Sequence, residues 1–107
     1  MKGITSMEMT VKKEGTKLYV LLGGDIDHHE AATFRAEIDN IIFEERPEKI
    51  IFDFSNVKFM DSSGIGLVLG RYRLIKELGG SLEVKGAGMH IAQIFKMSGV
   101  DKIIEIN

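Results

Sequence analysis

From residue 8 to 12 the chain reads EMTVK, polar and apolar in alternation, and after Gly15 the run KLYVLL (17–22) follows. Alternation at a period of two marks a half-buried strand, so a hairpin-like opening is predicted, with its second strand the more buried. The period then changes. Through GDIDHHEAATFRAEIDNIIFEE, the residues Ala31, Phe34, Ile38, Ile41 and Ile42 recur at helical spacing and share one apolar face. Asp27 is the predicted N-cap, Glu30 three residues later completes a capping-box arrangement, and Pro47 blocks continuation. KIIFDF (49–54) is a short apolar run rich in β-formers and reads as a central strand. SNVKFMD leads into a second helix over about 63–78, which Gly79-Gly80 closes. SLEVK (81–85) is a strand, and MHIAQIFKMS is a third helix with Ile91, Ile94 and Phe95 on one face and Gly99 as its stop. DKIIEI (101–106) is the predicted last strand.

The order is β-β-α-β-α-β-α-β, and 107 residues suit one domain with one modest core. The predicted fold is therefore a single α/β domain with a mixed β-sheet. Its strands are largely parallel after the hairpin, and helices pack on the sheet. Apolar residues at 44% and charged residues at 28% are the balance of a soluble globular chain. A formal net charge of −2 leaves no electrostatic footprint for nucleic acid. Arg71, Arg73 and Lys76 read as solvated charges spread around a helix. The chain has no Cys, hence no disulfide and no thiolate chemistry, which suits a reducing cytosol. No apolar run approaches the roughly 20 residues of a membrane span, and no signal-peptide pattern opens the chain. A cytoplasmic location with no membrane contact is expected.

Three kinds of chemistry can be weighed on the residues. His28-His29, flanked by Asp25, Asp27 and Glu30, offers zinc-type donors. Adjacent helical residues point about 100° apart, however, and His90 belongs to another helix. A capped helix start is the reading here, with no metal. GIGLVLG (64–70) comes near a dinucleotide-binding turn, and Glu83 mimics the ribose-binding acid. Leu69 stands where the third glycine belongs, and the glycines do not follow the strand directly, since residues 55–62 and then Ser63 intervene after Phe54. Neither Ser62 nor Ser63 has the glycine two positions earlier that a hydrolase elbow needs, and no triad partners are marked. No catalytic residue and no cofactor are expected.

What remains is FMDSSGIG (59–66). Asp61 or Ser62 is the natural N-cap of the second helix. Capping accounts for one Asp or Ser but not for Gly64 and Gly66, each of which costs roughly 1 kcal/mol against Ala inside a helix. Small residues at an exposed helix start let another protein's backbone come close. Ile65, Val68, Leu69, Tyr72 and Ile75 form one stripe, with Leu67, Leu74 and Leu78 nearly opposite. One stripe must face the sheet, and part of the other is open to a partner or a neighbouring helix. On the residues alone, a simple cap and a partner-docking surface both stand.

FMDSSGIGLVLGRY, with GDIDHHEA upstream and FKMSGVDKII downstream, resembles the bacterial anti-sigma-factor antagonists, or anti-anti-sigma factors, of the STAS-domain family. The likeness runs from about Met7 to Ile106, and the paired histidines with the FMDSSG context favour the sporulation branch over general stress. It implies a regulatory protein that is not an enzyme. Unphosphorylated, such a protein binds an anti-sigma factor that is also an ATP-dependent serine kinase, and so frees a sigma factor. The resemblance assigns phosphorylation to Ser62 and its reversal to a PP2C-type phosphatase. It places Asp27, Asp61, Ser62, Ser63, Gly64 and Ile65 at the partner surface. The alternative is a STAS-type docking or nucleotide-sensing module without a phosphoswitch. The family domain is expected over 7–107, after an N-terminal extension or cloning remnant at 1–6, and without the C-terminal helix that family members usually carry.

Overall fold

The computed structural model describes residues 9–107, preceded by the backbone of Thr5–Ser6. The expected extension at 1–6 lies outside the described residues, apart from Thr5–Ser6. Ten elements follow in order: β1 (Thr5–Ser6), β2 (Met9–Glu14), β3 (Lys17–Ile26), α1 (His28–Glu45), β4 (Lys49–Met60), α2 (Ser62–Glu77), β5 (Ser81–Lys85), α3 (Met89–Ser98), a 3₁₀ turn (Val100–Lys102) and β6 (Glu105–Ile106). The strands form one sheet in the spatial order β1-β2-β3-β4-β5-β6. β1–β2 and β2–β3 are antiparallel, and β3–β4, β4–β5 and β5–β6 are parallel. The predicted element order and the mixed sheet are those observed, with β1 added at the edge.

Each parallel pair is joined through a helix, and the three crossovers move across the sheet in one direction. Crossovers of one hand then place all three helices on the same face. That face holds the core: Leu18, Val20 and Leu22 of β3, Ile50, Phe52 and Phe54 of β4, and Leu82 and Val84 of β5 alternate toward it. Phe34, Ile38 and Ile42 of α1, Val68 and Ile75 of α2, and Ile91 and Phe95 of α3 close over them. Phe54 and Phe95 meet edge to face with ring centroids 5.4 Å apart, which ties α3 to the central strand. On the opposite face, Lys12, Tyr19, Ile51 and Glu83 form one row across four strands.

The helix ends follow the local signals. α1 ends at Arg46, whose φ of 47° is left-handed, one residue before Pro47. α2 ends in a Schellman motif: the Gly79 amide donates to the Lys76 carbonyl at 3.0 Å and the Gly80 amide to that of Ile75 at 2.8 Å. Gly79 takes the left-handed φ of 86° that this requires.

Three expectations need correction. β3 and β4 do not stop at Leu22 and Phe54 but run on together to Ile26 and Met60. Register shifts between Leu21 and Gly23 and between Gly24 and Asp25 break the alternation, so SNVKFM keeps pairing while its burial loses the period of two. The gap before Gly64 therefore shrinks to residues 61–63, and Gly64 and Gly66 lie inside α2 rather than in a strand-to-helix turn, which with the missing third glycine sets the segment apart from a dinucleotide site. The last strand covers only Glu105–Ile106, because residues 100–102 turn in a 3₁₀ helix capped by Gly99. Arg71, read as solvated, is 8% exposed and lies between α1 and α2.

Candidate functional site

The C-terminal ends of β3 and β4 are direct neighbours, with Ile26 paired to Met60. Each strand is followed by a single aspartate and then a helix. Asp27 and Asp61 are thus set side by side as the N-caps of α1 and α2. Their backbones are nearly identical, φ −100° and ψ −175° against φ −101° and ψ −170°. Asp27 Oδ1 accepts from the Glu30 amide at 2.9 Å, and Asp61 Oδ1 accepts from the Ser63 amide at 2.8 Å. Each carboxylate satisfies one of the amides that a helix start leaves unpaired. Only the forward half of the predicted capping box at Glu30 is among the hydrogen bonds of the described residues. The Asp61 amide donates to the Ile26 carbonyl at 3.3 Å, which stitches the two strand ends together just below the caps.

Ser62 is the first residue of α2 and is exposed, while Ser63 behind it is half-buried. Asp61, not Ser62, is the cap, so the Ser62 hydroxyl is not consumed by the helix it opens. The structure brings Asp27, Asp61 and Ser62 to one edge of the domain, where two helix N-termini direct positive dipole ends outward. Gly64 is buried and Ile65 half-buried. A Cβ at Gly64 would run into the Cγ and Sδ of Met60, so this glycine lets the first turn of α2 lie directly on the end of β4. Gly64 therefore serves the fold and the placement of Ser62 rather than offering open surface.

The two stripes expected on α2 also resolve differently. The buried line is Gly64, Leu67, Val68, Arg71 and Ile75, while Ile65, Leu69, Tyr72, Leu74 and Leu78 flank it half-buried. Arg71 Nε lies 2.8 Å from Asp39 Oδ1 of α1. The N–H is not aimed at that oxygen, and neither atom has a hydrogen-bond partner, so this is an ionic contact rather than an aligned bond. Arg71 Nη1 donates to the Leu67 carbonyl at 3.3 Å. Burial pushes the Arg71 guanidinium below its ordinary value, Asp39 opposes that shift, and nearby Arg35 adds to it.

Sequence reasoning missed the groove beside Ser63, of about 440 Å³, between α1 and α2. Its walls include Ala31, Ala32 and Arg35 from one helix and Gly66, Gly70 and Arg71 from the other. The i, i+4 spacing of Gly66 and Gly70 was visible, but which way they face depends on the packing of two helices. Sequence reasoning also passed over Phe59, 48% exposed and paired with Asp25 just below the caps. His28 and His29 are exposed at the start of α1, and no group of three or more potential metal-ligating side chains occurs among the described residues. No helix there is long and apolar enough to cross a membrane.

The family profile of the STAS domain matches residues 8–107. The anti-sigma F factor antagonist of Paenibacillus polymyxa is 39% identical over 89 residues, which cover 83% of this chain and 76% of that protein. The unphosphorylated form of the anti-sigma factor antagonist SpoIIAA superposes with a TM-score of 0.82 at 30% identity, covering 92% of this chain and 87% of that one. The Bacillus cell fate determinant SpoIIAA in its phosphorylated form matches with a TM-score of 0.74 at 30% identity, over 92% of this chain and 90% of that one.

Proposed function

This chain belongs to the STAS-domain family, and on that premise we propose that it is an anti-sigma-factor antagonist switched by phosphorylation of Ser62. Unphosphorylated, it binds an anti-sigma factor in the cytoplasm and releases the sigma factor which that protein held. The same anti-sigma factor is a serine kinase that transfers phosphate from ATP to Ser62, and a PP2C-type phosphatase removes it. The chain itself catalyses nothing. Its work is to present a surface and to have that surface cancelled.

The observation that carries this reading is an exposed serine at the first position of α2, whose capping is already done by Asp61. Phosphate adds about −1.5 to −2 charges at neutral pH. At a helix N-terminus the dipole favours an anion by about 0.3–1 kcal/mol, so the fold tolerates the group. A protein packed against the same edge meets a bulky dianion beside Asp61, with Asp27 on the neighbouring cap. Unmatched charge in an interface costs several kcal/mol, and about 1.4 kcal/mol is a factor of ten in affinity. The modification therefore leaves the domain folded and abolishes the complex. The half-buried Ser63, whose amide Asp61 holds, is a poorer phosphoacceptor than Ser62.

The test is incubation with the serine-kinase anti-sigma factor, ATP and magnesium, followed by intact mass and phosphopeptide mapping. A single added phosphate on Ser62, together with loss of the complex, is the expected result. A complex that forms equally well after phosphorylation, or a phosphate confined to Ser63, refutes the switch as drawn.

A further inference from the structure

Two glycines of α2 have no explanation inside the molecule. Gly66 and Gly70 are mid-helix, where glycine is the poorest residue after proline. A Cβ built at either would meet no heavy atom within 4 Å, in contrast to Gly64. Nothing in the chain requires their bareness, and both line the α1–α2 groove, one turn apart. With Ala31 and Ala32 opposite, they leave the groove open between the helices.

The polar part of the groove has one sign. Arg71, more than nine-tenths buried, lines it; its Nε touches Asp39 without an aligned hydrogen bond, and its Nη1 donates to the Leu67 carbonyl. Arg35 lines the same groove, close enough to disfavour the charge on Arg71. Asp39 contacts Arg71 but is a single carboxylate against two guanidiniums. His28 and Ser63, which also line it, add no negative charge. A groove with small walls and a surplus of one positive charge accepts a carboxylate, and the exposed Arg35 guanidinium has its donors free of any salt bridge among the described residues to meet it.

We infer that the groove between α1 and α2 receives an acidic side chain of the anti-sigma factor, which passes over Gly66 and Gly70 to pair with Arg35 and Arg71. This rests on the proposed function and gives that partner a chemistry: an Asp or Glu projecting from the element that packs beside Ser62. Two contacts then define the complex, one that phosphate cancels and one, a turn or two further along α2, that it does not touch.

Binding titrations of the unphosphorylated chain against the anti-sigma factor test it, alongside melting curves. Gly66→Ala/Gly70→Ala raises two methyls from the groove floor where the acidic side chain would pass, while favouring the helix, so its melting temperature should rise while its affinity falls at least tenfold. Arg35→Glu, on an exposed residue, should fold as the wild type and lose at least tenfold. Affinity should return when one acidic residue of the anti-sigma factor is changed to Arg. Wild-type affinity in both variants, with wild-type binding and Ser62 phosphorylation intact, overturns the groove and leaves the switch standing. Failure of the wild-type chain to bind at all overturns the parent reading and the groove with it. Effects of Arg35→Glu confined to the phosphorylated chain would assign the groove to the chain's own phosphate and equally refute a partner carboxylate.

Discussion

Gly64→Ala and Gly66→Ala are the same substitution two residues apart in one helix, and the structure gives them opposite signs. At Gly66 the new methyl meets nothing within 4 Å, so only the helix preference operates, a gain of up to about 1 kcal/mol. At Gly64 the same gain is opposed, because the methyl overlaps the side chain of Met60, which is 2% exposed and hemmed in by the core. Overpacking of this kind costs roughly 1–3 kcal/mol. The net for Gly64→Ala is a loss of about 0–2 kcal/mol, and the two variants should differ by about 1–3 kcal/mol. For a domain of this size, about 4 °C accompanies each kcal/mol, so their melting temperatures should lie roughly 4–12 °C apart. Thermal unfolding by circular dichroism, checked by urea titration, measures the gap. Because Met60 ends β4 two residues before Ser62, Gly64→Ala should also slow phosphorylation, whereas Gly66→Ala should not alter the position of Ser62. Combining Gly64→Ala with Met60→Ala should show coupling, since the partners touch. Equal upward shifts for both glycine variants would mean that Met60 yields freely, and the close approach of α2 to β4 would lose its role in placing the serine.

Three further outcomes follow from the site and the sheet. Asp27→Ala removes a cap worth about 0.5–2 kcal/mol, so the variant should stay folded, and its kinase binding or phosphorylation should fall well beyond that loss; earlier melting with wild-type partner affinity would reduce Asp27 to a cap. Ser62→Ala should bind the anti-sigma factor permanently and take up no phosphate, Ser62→Asp should fold but bind poorly, and Ser63→Ala should remain phosphorylatable, all read by intact mass and pull-down. On the helix-free sheet face, the hydrogen bond to Glu83 raises the pKa of Lys49. A raised folded value means that this stability is present below the ordinary lysine pKa of about 10.4 and is lost as pH climbs through the folded value. The decline in unfolding midpoint above about pH 10 should therefore be shallower in Glu83→Gln, and equal slopes would rule out the pair as its source.

Much of the molecule follows from neighbours along the chain. The α1 face of Ala31, Phe34, Ile38, Ile41 and Ile42 is the buried set observed, because periodicity and burial are the same fact on an amphipathic helix. The caps at Asp27 and Asp61 and the glycine stop of α2 are equally local, since each depends on residues within one turn. The crossover order that makes β3, β4 and β5 parallel neighbours is a consequence of alternating strands and helices. Even the Asp-Ser-Ser-Gly segment was legible as a helix start with something left over.

Tertiary structure decided the rest, wherever a residue's role depends on what lies across from it. Strand β4 outruns its own pattern because it takes one extra residue against β3 at each of two register shifts, between Asp53 and Asn56 and between Val57 and Phe59, and pairing, not alternation, holds SNVKFM extended. Gly64 and Gly66 are indistinguishable in sequence; one faces Met60 and the other faces open space, and only the packing of α2 on β4 separates them. Arg71 looks like a solvent charge until α1 brings Asp39 against it. Asp27 and Asp61, 34 positions apart by number (61 − 27), become one site because Ile26 and Met60 are register partners. Helical and cap signals are carried by contacts within a few residues, so the sequence alone determines them. Register, groove and paired caps are made by contacts between distant segments, and they exist only once the sheet has formed.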